Sequence, residues 1–135
     1  MSKTEYLGNE GYALMGAVFE VYKELGYGLS EEIYQESLEL ELGFQGIPFI
    51  PKEELPVYYK GHRLKKTYIP DLLVYSEIVT ELKAVKALLS DHEKQLLNYM
   101  HITKKAVGYL INFGTEKSVE WKRYILKEYI PNSHL

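Results

Sequence analysis

The chain contains no cysteine. That excludes disulfide frameworks, thiolate zinc sites and cysteine nucleophiles together, and it accords with a reducing, cytoplasmic setting. It has no run of about 18 apolar residues, so no membrane-spanning helix is expected. Met1 to Glu5 lack the apolar stretch of a secretory signal. No repeat, low-complexity tract or linker interrupts the sequence. Tryptophan and phenylalanine are scarce, at 1 and 4, while tyrosine reaches 13. At 135 residues, with 46% apolar and 26% charged side chains, the composition is that of one globular domain with a core of its own. Residues 1–135 are accordingly read as a single domain.

Neither sign of charge dominates overall, but the two halves differ. Residues 1–59 hold 3 basic and 11 acidic side chains, a net −8, and residues 60–135 hold 13 and 8, a net +5. A polyanion would therefore meet the second half. Chance segregation of surface charge is the plainer alternative.

Hydrophobic spacing predicts a helix from Asn9 to Leu25, capped by Asn9, with Leu14, Ala17, Val18, Val21, Tyr22 and Leu25 on its inner side. Gly26-Tyr27-Gly28 stops it. Ser30 is placed to cap a second helix, whose stripe is Ile33, Tyr34, Ser37, Leu38 and Leu42 and whose end is Gly43. From Pro48 the period becomes that of strands. Val57 to Tyr59 and Leu64 to Tyr68 read as a hairpin about Lys60-Gly61. Ile69 to Tyr75 continues that second strand, and Ile78 to Val85 forms the next. Ser90-Asp91-His92-Glu93 reads as a capping box opening a helix to Thr103. Ala106 to Phe113 suits the centre of a sheet, and Val119 to Leu126 an edge. The order α, α, β, β, β, α, β, β implies an α+β fold, an α/β sandwich.

Three charged residues interrupt apolar strands in Pro70-Asp71-Leu72-Leu73-Val74 and Thr80-Glu81-Leu82-Lys83-Ala84-Val85. Such side chains are rarely buried unpaired. Glu81 and Lys83 share a strand face. Two carboxylates side by side form an oxygen site for a hard cation such as Mg²⁺ or Mn²⁺. A lysine beside them can orient a water or stabilise an anionic transition state, which completes the parts for metal-assisted phosphodiester hydrolysis. The geometry imposes a condition. A regular two-residue loop at Ser76-Glu77 pairs Glu81 with Leu72 and turns Asp71 away. A three-residue loop centred on Ser76, or a bulge near Pro70, aligns Asp71 with Glu81. One of those irregularities is required.

Asp71, ten positions before Glu81-x-Lys83 and preceded by Pro70, resembles the PD-(D/E)xK nuclease signature. Gly28-Leu29-Ser30-Glu31-Glu32-Ile33-Tyr34 matches the G-x-x-E-x-x-Y pattern of the GxxExxY protein family. Leu96-Leu97-Asn98-Tyr99 and Leu110-Ile111-Asn112-Phe113-Gly114 also resemble that family, and the resemblance spans roughly residues 9–126. It implies a restriction-endonuclease-like core, a mixed central β-sheet flanked by helices. It also implies that Asp71 and Glu81 are metal ligands, that Lys83 is the catalytic lysine, and that Glu31 is a further acid holding the metal or its water. Gln95 and Tyr99 match a Q-x-x-x-Y pattern that some exonuclease branches place beside the site. Two departures stand out. Tyr22 replaces a histidine ahead of Lys23-Glu24-Leu25-Gly26, and Ile69-Pro70 replaces Arg-Ala before the aspartate.

Each residue also has a plainer reading. Glu81 and Lys83 would serve as a structural ion pair, Asp71 as a strand-end residue, Glu31 as a first-turn dipole partner, and Gln95 and Tyr99 as helix packing. His62, His92 and His101 read as surface residues, and His134 as part of a frayed tail. Lys60, Arg63, Lys65 and Lys66 form a basic cluster, with Lys86, Lys104 and Lys105 able to join it. Tyr58, Tyr59 and Tyr68 lie near enough to stack on bases. Lysines that block edge pairing are the alternative.

The sequence thus supports a Mg²⁺- or Mn²⁺-dependent nuclease acting on nucleic acid, first of all DNA. The alternative is a catalytically silent nucleic-acid- or protein-binding module on the same fold. So small a domain leaves specificity to a protein partner, to substrate shape or to a homodimer presenting two sites to a duplex.

Overall fold

The computed structural model describes residues 5–134. Residues 1–4, which carry most of the segment expected to lack a signal, lie outside the described residues. Two helices come first, α1 (Gly8–Leu25) and α2 (Glu31–Phe44). Five strands follow: β1 (Phe49–Pro51), β2 (Leu55–Tyr59), β3 (His62–Tyr68), β4 (Leu72–Val74) and β5 (Ile78–Lys83). Helix α3 (Ser90–Thr103) then leads to β6 (Val107–Asn112) and β7 (Glu120–Ile125). No helix among the described residues is long and apolar enough to cross a membrane.

The central sheet has the order β1-β4-β5-β6-β7 and is mixed: β5 and β6 run parallel, and the other pairs are antiparallel. The crossover from β5 to β6 is α3. Helices α1 and α2 cover one face, where Leu14, Val18, Tyr34 and Leu38 meet Leu72, Ile78, Leu82 and Tyr109. Helix α3 and the separate β2–β3 hairpin cover the other, where Leu96, Met100, Leu55 and Tyr68 meet Leu73, Val79 and Leu110. The sheet is thus sandwiched between helices, as the alternation of apolar runs requires. β6 is buried along its whole length, which is why it reads as a continuous apolar run.

Several boundaries differ from those the sequence suggested, each for a local reason. Asn9 does not cap α1. The Gly8 N–H donates to the Glu5 carbonyl at 2.8 Å, so a turn feeds the helix one residue earlier, with Leu7 in the left-handed region at φ 56°. Gly43 lies inside α2. The stop is Gly46 (φ 70°), where Ile47 N–H reaches the Leu42 carbonyl and Gly46 N–H reaches that of Gly43, a Schellman closure. Leu25 and Ile33 are exposed rather than part of the buried stripes. Ser30 does stand at the cap of α2, although its hydroxyl makes no cap hydrogen bond.

The cap of α3 is Leu89, not Ser90. His92 Nδ1 accepts from the Leu89 N–H at 3.1 Å, which frees Glu93 to bind Lys122 at 3.1 Å and the Tyr124 hydroxyl on β7. The segment from Ile69 is not a continuation of β3. Pro70 has no N–H to give a ladder, and the chain there leaves the hairpin for the central sheet. β1, absent from the sequence reading, forms the sheet edge beside β4. His134 sits in a short 3₁₀ turn with its ring edge-on to Tyr6, so this part of the tail is docked.

Candidate active site

The β4–β5 loop meets the condition set by the sequence. The pairs Leu72–Thr80, Leu73–Val79 and Val74–Ile78 leave Tyr75-Ser76-Glu77 as a three-residue loop centred on Ser76. Tyr75 and Ser76 take left-handed φ values of 54° and 64°, and the Glu77 N–H closes the turn on the Val74 carbonyl at 3.2 Å. The extra residue shifts the register by one, so that Asp71 falls opposite Glu81. Just past the last paired residues, side chains take over the ladder. The Asp71 N–H donates to Glu81 Oε1 at 2.9 Å, and the Leu82 N–H donates to Asp71 Oδ2 at 2.7 Å. Lys83, two residues on, shares the face of Glu81.

The turn before α2 explains the G-x-x-E-x-x-Y spacing. Gly28, at φ 96°, takes a backbone conformation that a side chain disfavours. Tyr34 is fully buried, stacks on Phe113 at 4.5 Å, and donates its hydroxyl to the Gly26 carbonyl at 2.6 Å, which pins the turn to the core. That anchoring places Glu31, in the first turn, in a cleft with Gln35, Lys52 and Asp71. Gln35 Nε2 donates to the Asp71 carbonyl at 2.9 Å.

The electrostatics agree with a shared site. Burial pushes the Glu81 carboxyl up to about 7, and the like charge of Asp71 adds to this against the opposing pull of the Asp71 N–H, Lys83 and Tyr68. Burial, then Asp71, also raises Glu31, while Lys83 and Lys52 pull it down. Burial disfavours the charge on Lys52, but its hydrogen bond to Asp71 and the neighbouring carboxylates outweigh this and raise its pKa. The Lys52 ammonium lies 2.5 Å from Asp71 Oδ1.

On the other side of the Asp71–Glu81 pair, a cleft of about 280 Å³ is lined by Lys66, Tyr68, Glu81, Gln95 and Tyr99. Gln95 and Tyr99, one helical turn apart on α3, therefore both face Glu81. Tyr99 stacks flat on Tyr68 at 4.0 Å. The Tyr68 hydroxyl is buried beside Glu81, and burial with the Glu81 charge pushes its pKa far up. Tyr68 is thus enclosed and not offered to bases, whereas Tyr58 and Tyr59 are exposed.

Lys60, Arg63, Lys65 and Lys66 are all exposed on the β2–β3 hairpin, and Lys66 reaches the cleft beside Glu81. Lys104 joins Lys60 and Tyr58 around a second cleft with His101 and Tyr129. Lys105 turns away to Ser76 and Glu77. His62 and His101 are exposed, His101 bonded to the Tyr129 hydroxyl. Tyr22 serves the loop after β6: its hydroxyl lies 2.6 Å from the Thr115 carbonyl and 2.8 Å from that of Glu116.

The donor set suits a hard dication. Two carboxylates adjoin, and Asp71 Oδ1 already accepts a cation. No three acidic or histidine side chains among the described residues stand close enough to enclose an ion. Mg²⁺ needs no such cage, because it keeps several waters and takes one or two carboxylates.

Sequence reasoning overlooked three contributors. Lys52 and Gln35 give no local signal, since tertiary pairing brings them to Asp71. Asn112 does give one, as the lone amide in an apolar strand. It is fully buried and holds the backbone just beyond Lys83: its Oδ1 accepts from Val85 and Gly114, and its Nδ2 donates to the Val85 carbonyl.

A family model described as the PD-(D/E)XK nuclease superfamily matches residues 9–124. No curated protein matches the chain. Among solved structures, the crystal structure of SSO0001 is similar at a TM-score of 0.54 and 21% identity, over 70% of this chain and 48% of that one. This chain therefore spans about half the length of SSO0001, and the likeness is one of fold.

Proposed function

The chain belongs to the PD-(D/E)XK nuclease superfamily, and from that premise we propose that it is a Mg²⁺- or Mn²⁺-dependent nuclease hydrolysing phosphodiester bonds, first of all in DNA. The observation that carries this reading is the register of the β4–β5 turn, which unites Asp71 with Glu81 and sets Lys83 beside them. Asp71 and Glu81 would hold the cation, with Glu31 facing Asp71 from α2 to hold it or its water. A bound dication lowers the pKa of water and neutralises charge on the phosphate and the leaving oxygen.

The remaining roles belong to the chain itself. Lys83 orients the attacking water and offsets the negative charge that builds on the phosphate oxygens. Gln95 and Tyr99 contact the substrate from α3. Lys60, Arg63, Lys65 and Lys66 bind the phosphate backbone, and Lys66 links that surface to the cleft. The G-x-x-E-x-x-Y turn supports placement in the GxxExxY branch, since Gly28, Glu31 and Tyr34 each do separate structural work.

Incubation with labelled single- and double-stranded DNA and RNA, in Mg²⁺, Mn²⁺ or EDTA, tests the reading and names the substrate. Cleavage is expected with metal and not with EDTA. A second reading, a binding module without catalysis, is favoured by two observations: Lys52 occupies Asp71 Oδ1, and no three-acid cluster forms among the described residues. Salt-sensitive binding with no cleavage in any metal would establish it.

A further inference from the structure

We propose that Lys52 is an internal counter-cation of the site, holding Asp71 in place in the metal-free protein and competing with the divalent cation for Asp71 Oδ1. This deepens the proposed function and rests on its metal site.

The sequence around Lys52 gives no hint of such a role; the topology supplies it. β1 pairs antiparallel with β4 through Phe49–Val74, Ile50–Leu73 and Pro51–Leu72. One step further, the same register sets Lys52 opposite Asp71, and the Lys52 N–H donates to the Asp71 carbonyl at 3.3 Å. Asp71 thus stands between Lys52 on one neighbouring strand and Glu81 on the other. Lys52 takes the left-handed region at φ 53°, which residues with a Cβ occupy only where their surroundings dictate it.

The remaining bonds of Asp71 leave one exchangeable position. Its N–H is held by Glu81, its carbonyl by Gln35 and Lys52, and its Oδ2 by the Leu82 N–H. These partners are backbone groups or side chains tied into the packed layers. Oδ1 faces the cleft and, among the described residues, meets only the Lys52 ammonium, at the end of a side chain that is 56% exposed. A flexible lysine head is a compact, mobile charge. It can withdraw into solvent without disturbing the sheet. Asp71, Glu81 and Glu31 converge here, and Lys52 is the cation that touches Asp71 and offsets its charge when no metal is bound.

The test is Mn²⁺ titration by calorimetry, without nucleic acid, on the wild-type protein, Lys52→Gln and Lys52→Arg, with Asp71→Asn as the control that removes the site. Thermal unfolding in EDTA is recorded alongside. Lys52→Gln should bind Mn²⁺ about tenfold more tightly than wild type, since no ammonium has to leave. It should also unfold at lower temperature in EDTA and regain the difference in Mn²⁺. Lys52→Arg, which keeps the charge, should stay near wild type in both readouts, and it decides the matter if Lys52→Gln fails to fold in EDTA. Wild-type binding with unchanged or weaker affinity in Lys52→Gln overturns this inference alone and leaves the metal site standing. Absence of Mn²⁺ binding in every variant overturns the inference together with the metal site.

Discussion

Glu81 offers a sharp test of the site's electrostatics, independent of any activity. Its carboxyl is pushed from an ordinary 4.5 to about 7, first by burial and then by Asp71. A raised carboxyl binds a proton more tightly in the folded than in the unfolded chain. Between pH 4.5 and 7 the folded state therefore holds more protons, and stability falls as pH rises through that window. The gap is worth up to about 3 kcal/mol once both limits are passed. Glu81→Gln keeps an oxygen for the Asp71 N–H and removes the charge. In EDTA, the variant should match wild type near pH 4.5 and exceed it by about 2–3 kcal/mol at pH 8. In a domain of this size that is a gain of roughly 10 °C in melting temperature. Urea unfolding of both proteins across this pH range measures the difference, in which the other titrating groups cancel. Parallel curves, with no divergence above pH 5, would refute the reasoning and place Glu81 in solvent rather than against Asp71.

Other substitutions follow from the same geometry. Asn112→Ala should cost about 2–4 kcal/mol in urea unfolding, because Val85 and Gly114 are left without their buried partners. Gly114→Ala should fail to give a cooperative fold by calorimetry, since a Cβ there would lie 2.2 Å from the Val85 carbonyl oxygen, which is backbone and cannot swing aside. Replacing Lys60, Arg63, Lys65 and Lys66 with alanine should weaken DNA binding and flatten its dependence on salt, by about 0.9 in log–log slope for each phosphate no longer neutralised. An unchanged slope in fluorescence anisotropy would move the binding surface elsewhere.

Much of this was legible in the residues. The misfit of Asp71 and Glu81 to a two-residue turn demanded an irregular loop, and three residues centred on Ser76 supply it. The apolar run at 106–113 fixed the buried strand, and the charges at Glu120, Lys122 and Arg123 marked the edge. Local patterns failed where tertiary context decides. β1 is three residues ending in proline, too short for any periodicity, yet its register delivers Lys52 to Asp71. The break between β3 and β4 looked continuous because Tyr68, Leu72 and Val74 are apolar on both sides of it, though they face different packing layers. His92 displaced Glu93 from the cap because Lys122 and Tyr124, far along the chain, claim the glutamate. Asn112 was readable in principle, as a polar residue in a strand with no exposed face.

The central claim is that Asp71, Glu81 and Lys83 form one metal-dependent hydrolytic site. The most direct measurement is Mn²⁺-dependent cleavage of end-labelled DNA by wild type, Asp71→Asn, Glu81→Gln and Lys83→Ala, each first shown to be folded by circular dichroism. The account predicts cleavage by wild type that EDTA abolishes and that each of the three substitutions reduces to background. Cleavage that persists at wild-type rate in Lys83→Ala or Asp71→Asn would contradict it.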